Sequence, residues 1–148
     1  KEIAKKIYNR FTVIYASDKL GSVATRWRGQ IAENSKTLSS SHVFPEMNHN
    51  EIVGWVHPEK LLSKFTAIIL KDKGDNLRVK KRMSITASIL KREGFKVIEL
   101  ESQGKNLLER MLSLVYIGDF VSFYLALLNG INPTPVDRIT YLKKELAK

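Results

Sequence analysis

The stretch FTAIILKDKGDNLRVKKRMSITASILKREGFKVIELES, residues 65–102, decides the fold. Its opening FTAIILK (65–71) is short, apolar and β-branched, as expected of a strand buried on both faces. Its end, FKVIELES (95–102), has the same character. Between them Leu77, Val79, Met83, Ile85, Ile89 and Leu90 recur near helical spacing, and Gly94 is placed to stop that helix. Strand, helix and strand in this order form a crossover unit whose strands lie parallel. Upstream of this unit, FTVIYAS (11–17) reads as another buried strand, and LGSVATRWRGQIAENSK (20–36) as a helix with Val23, Ala24, Trp27 and Ile31 on one side. Downstream, the segment from Asn106 to Gly130 is a long helix, apolar nearly all round, which predicts burial in the core or against another domain. INPTPVDRITYLKKELAK (131–148) is a Pro-broken loop opening a last helix, with Thr134 as N-cap and Pro135 in the first turn. The alternation predicts an α/β fold, a doubly wound three-layer sandwich on a mainly parallel sheet.

Composition narrows the chemistry. A chain of 148 residues fits one domain and buries enough surface to need no covalent staple. The absence of cysteine excludes disulfides, thiolate zinc sites and cysteine nucleophiles, and suits an intracellular protein. The formal charge is +10, but the cations are spread among acids along helical stretches. Clusters such as RVKKR (78–82) and LKKELAK (142–148) read as solvated helix faces rather than as a nucleic-acid grip. No uninterrupted apolar run approaches the ~20 residues of a membrane helix. The sequence opens on Lys1 rather than Met, which points to a processed product or a piece of a longer chain.

In α/β folds, sites lie beyond the carboxyl ends of the strands. Three Gly-containing polar turns follow the predicted strands: ASDKLGS (16–22), KDKGDN (71–76) and ESQGKN (101–106). None carries a P-loop or a dinucleotide fingerprint. His42, His49 and His57 have no helical i, i+4 pair, so a metal site is not expected. Glu33, in GQIAENSK (29–36), is a surface acid when read alone. Beside the polar, histidine-bearing SSSH loop (39–42) it becomes a candidate general base. His49 lies in FPEMNHNEIVGW (44–55). Its spacing fits a turn capping a helix at Asn50–Glu51, or proton transfer.

Those two segments, with the terminal INPTPVDRITYLKKEL (131–146), resemble the C-terminal half of archaeal and bacterial bifunctional phosphoglucose/phosphomannose isomerases, of the sugar-isomerase (SIS) superfamily. The resemblance implies a single SIS-like domain over 1–148, preceded in the family by an N-terminal SIS domain that holds the sugar phosphate. It implies Glu33 as the base moving a proton between sugar carbons one and two. His49 would assist ring opening, Lys143 (or its neighbour Lys144) would act beside them, and Thr134 would contact substrate. Ala32 stands where the family often has asparagine, and SSSHV (39–43) replaces a more apolar approach to Phe44–Pro45. A carboxylate, an imidazole and an ammonium suffice for an enediol mechanism, so no cofactor or metal is expected. The resemblance further implies a cytoplasmic homodimer without nucleic-acid or membrane partners, whose site lies between the two domains and near the dimer partner. The isolated chain would be inactive. A non-catalytic module that binds sugar phosphates is the other reading.

Overall fold

A computed structural model describes residues 1–148 as four strands, seven α-helices and two 3-10 turns. β1 (Phe11–Ser17), β2 (Ser39–Phe44), β3 (Phe65–Lys71) and β4 (Lys96–Glu101) form one sheet in the order β2-β1-β3-β4, with every neighbouring pair parallel. Successive strand residues point to opposite faces, and both faces are covered. On one side α1 (Glu2–Ile7), α2 (Gly21–Ser35) and α6 (Leu107–Leu128) bury Ile7, Trp27, Ile31, Leu114 and Leu125 against Ile14, Ala16, Ile68 and Leu70. On the other, the segment containing α3 (Glu51–Gly54) and α4 (Glu59–Leu62), together with α5 (Leu77–Arg92), packs Met47, Trp55, Leu62, Met83 and Leu90 against Val13, Tyr15, Ala67 and Ile69. This is the expected three-layer α/β sandwich. The crossover unit forms as read: Asn76 Oδ1 caps α5 by accepting from Arg78 N–H at 2.9 Å, and Gly94 takes φ +85° after its end.

Two elements differ from the sequence reading, and a third meets it on one side. SSSH is not a loop: Ser39–Phe44 is strand β2, paired in register from Thr12↔Ser39 to Ser17↔Phe44. An edge strand needs only one partner and a half-buried surface, so serines serve where pairing supplies the stability. The Asn106–Gly130 helix is covered on one side only. α6 is long and apolar enough to cross a bilayer, with an 18-residue window of mean hydropathy 1.8, yet its inner side is locked into the sandwich. Trp27 Nε1 donates to Leu114 O at 2.8 Å. A Cβ at Gly118 would stand 2.6 Å from Trp27 Cε2, so glycine lets α2 and α6 meet backbone to indole. Its outer side is bare, with Leu108 65% and Tyr116 67% exposed. Finally, α7 (Asp137–Leu146) begins after Val136 and has no side-chain cap. Thr134 lies in the preceding turn, where its N–H donates to Asn132 Oδ1 at 3.0 Å.

Candidate functional site

Glu33 stands in the last turn of α2, with its side chain in solvent. The chain turns sharply at Lys36, which closes α2 in the left-handed region at φ 53°. The Lys36 ammonium reaches back to Glu33 O at 2.5 Å and across to Pro133 O at 3.1 Å. Asn129, just past α6, donates to Ser35 O at 2.8 Å and to Thr37 Oγ1 at 3.0 Å. These bonds tie the 129–134 loop to the end of α2, so the segment carrying Thr134 lies beside the segment carrying Glu33.

His49 ends a 3-10 turn (Glu46–His49) that follows β2, and its imidazole is exposed. Everything around it is pinned. Phe44 and Met47 are fully buried. Asn48 Nδ2 donates to Thr86 Oγ1 on α5 at 3.0 Å, and the Asn50 amide bonds the Glu46 carboxylate. Asn50 also caps α3, its Oδ1 accepting from Glu51 N–H, so the cap is Asn50 and not His49. Glu51 then anchors the turn to the sheet. Its Oε1 accepts from Tyr15 OH at 2.6 Å, and the tyrosine oxygen in turn accepts from the buried Trp55 Nε1 at 2.9 Å. Its Oε2 lies 3.0 Å from His42 Nδ1. Burial first, and then the bond to Glu51, push the Tyr15 hydroxyl well above its ordinary value, so it stays neutral while it donates to Glu51 and accepts from Trp55. Sequence reasoning named the motif but missed this clamp. The available signal was a tyrosine in an otherwise apolar strand.

The clamp can be tested. Tyr15→Phe removes both the donor to Glu51 and the acceptor for a buried indole N–H. Leaving such groups unpaired costs about 1–3 kcal/mol, to be read as a lower urea midpoint at unchanged slope.

The predicted residues do not converge within one chain. A Cβ on Gly21, at the start of α2, would touch Val43 near the end of β2. α2 therefore runs antiparallel to β2, and its last turn lies at the amino end of the sheet. His49 lies beyond the carboxyl end of β2, whose six residues span about 20 Å. Lys143 and Lys144 lie in the last turn of α7, a helix with no buried residue, and join neither group. A cavity of about 230 Å³ beside Phe11, Trp55, Leu62 and Phe65 contains none of them.

Over residues 1–146 the chain matches the model for the bacterial phospho-glucose isomerase C-terminal SIS domain. It belongs to that family. It is 44% identical over 148 residues to a bifunctional phosphoglucose/phosphomannose isomerase of Aquifex aeolicus, covering 100% of this chain and 46% of that protein. It is 43% identical over 149 residues to the Caldicellulosiruptor bescii protein of the same name, covering 100% of this chain and 44% of that protein. The chain thus spans under half the length of these relatives. A solved glucose-6-phosphate isomerase like protein from Thermus thermophilus shares the fold at TM-score 0.73 and 22% identity, over 89% of this chain and 44% of that one. The SIS-type architecture and membership of an isomerase enzyme family follow.

Proposed function

We propose that this domain is the C-terminal half of an enzyme that interconverts glucose 6-phosphate or mannose 6-phosphate with fructose 6-phosphate through a cis-enediol. Glu33 is the base at carbons one and two, His49 assists ring opening, Lys143 or Lys144 stabilises the developing oxyanion, and Thr134 contacts substrate. The observation that carries this reading is the rigid outward presentation of His49, on a turn secured by Phe44, Met47, Asn48 and Glu51, in a chain of this family. An exposed imidazole on a secured turn, bonded to nothing in its own chain, suits a reaction partner outside it. Glu33 likewise stands exposed at the other end of the sheet.

Because one chain holds these groups apart, the site joins Glu33 of one copy to His49 of a second, with the preceding SIS domain holding the phosphate. The bare outer side of α6 and the unburied α7 are the surfaces such neighbours cover. The enzyme acts as a cytoplasmic homodimer, needs no metal or cofactor, and this chain alone turns over no substrate.

Complementation tests the arrangement. In the two-domain protein, Glu33→Gln and His49→Ala copies are each inactive as pure dimers. In a mixed dimer both lesions fall in one site and leave the other intact, so random mixing should restore about one quarter of parental activity. Mixtures as inactive as the single variants would overturn the shared site. Full activity of both single variants would favour the non-catalytic sugar-phosphate module.

A further inference from the structure

The turn of α2 that carries Glu33 is fastened from outside its own helix. The last carbonyls of a helix have no partner within it, and here α6 and the residues after it supply one. Asn129 Nδ2 donates to Ser35 O at 2.8 Å and to Thr37 Oγ1 at 3.0 Å. The Thr37 hydroxyl in turn donates to Ser35 O at 3.1 Å. One residue beyond Glu33, Asn34 Nδ2 donates to Ser122 Oγ at 2.8 Å and to Gln30 Oε1 at 3.1 Å. Ser122 is fully buried, and its own hydroxyl donates to Asp119 O at 2.7 Å. It therefore meets Asn34 as an acceptor of fixed orientation.

These bonds exceed what packing α2 on α6 requires. Farther back along α2, Trp27 already sits over Gly118 with its Nε1 on Leu114 O. Arg26 grips both oxygens of Asp119, at 3.2 and 2.8 Å. The additional bonds fall on residues 34–37, immediately after Glu33. The Glu33 carboxylate is exposed and bonded to nothing in its own chain, so its reach is set by the backbone that carries it. A reacting group must meet its target in a narrow geometry, and a displacement of ~1 Å can cost about 10²-fold in rate.

We infer that Asn129 and Ser122 are positioning residues for Glu33: from α6 they hold the last turn of α2 where the carboxylate meets the substrate carbon. The inference rests on the assignment of Glu33 as the base. It gives α6 a second task beside closing the core, since the helix that buries Leu114 and Leu125 also sets the place of a reacting group.

A double-variant cycle in the two-domain protein tests it. Asn129→Asp keeps the shape of the side chain but has no proton to donate to Ser35 O. At a temperature where circular dichroism shows it fully folded, it should lower kcat about ten-fold and leave KM within about two-fold. Ser122→Ala, a milder change to the same turn, should lower kcat about three-fold. In a Glu33→Gln background neither change should lower the residual kcat further, because a residue that acts through the carboxylate then has nothing left to place. Further losses in that background would make the role structural and overturn the inference. If Asn129→Asp does not fold, the Ser122→Ala cycle decides alone. Parental kcat in both single variants, beside a crippled Glu33→Gln, would overturn this inference and leave the base assignment standing. Parental kcat in Glu33→Gln itself would remove both.

Discussion

Glu33→Gln, made in the protein that joins this domain to a preceding SIS domain, should lower kcat for sugar-phosphate isomerisation by about 10²–10⁴-fold, the range a positioned general base contributes. The amide keeps the shape of the side chain but cannot take a proton from carbon. The carboxylate is solvent-exposed at the end of α2, and Lys36 bonds its backbone oxygen rather than its side chain. Folding should therefore be nearly untouched, within about 0.5 kcal/mol. Substrate affinity should change little if the preceding domain holds the phosphate as proposed. Steady-state kinetics beside a thermal melt and a binding isotherm separate these effects. An unchanged kcat would remove Glu33 from the mechanism.

Arg110→Met should be the most damaging single change to stability, at about 3–5 kcal/mol, because Arg110 Nε lies 2.6 Å from Asp72 Oδ1 and its loss strips that buried carboxylate of its partner. For a domain of this size that corresponds to a fall in melting temperature of roughly 10 °C. The loss should depend on pH with a definite sign. In the parent, Asp72 is held below its ordinary value. Its contribution is full above the unfolded carboxyl value of about 3.9 and disappears as pH falls through the lower folded value. In the variant, burial acts without the guanidinium and favours the neutral acid. The gap between the two proteins should therefore narrow as pH drops from 7 towards 4. A gap independent of pH would mean that Arg110 acts through packing alone.

The fold was legible where burial on both faces left a continuous apolar run. FTVIYAS, FTAIILK and FKVIELES each formed a strand within a residue or so of its expected bounds. β2 was not, because an edge strand takes its stability from one neighbour and can be built of serines. The 106–130 segment was legible as a helix, but no periodicity could tell which side of an all-apolar helix this chain covers. The last helix illustrates the limits of cap chemistry: a Thr–Pro pair fits an N-terminus, yet Thr134 went to an Asn132 turn instead. The Asn-His-Asn-Glu stretch let the sequence name candidate site residues, but not their geometry. Nothing in sixteen residues of spacing tells that a strand will be laid lengthwise between Glu33 and His49. Nor does local pattern reveal that Glu51 belongs to Tyr15, a partner 36 positions away.

The length of β2 has a consequence for how such a protein is controlled. If Glu33 is the base and His49 its partner, they stand at opposite ends of one strand, and under the proposed mechanism the chain can be correctly folded and still hold no working centre. Turnover then reports association rather than folding. On that mechanism, specific activity should decay on dilution while circular dichroism stays constant, and any agent that parts the subunits should silence the enzyme without harming a single domain.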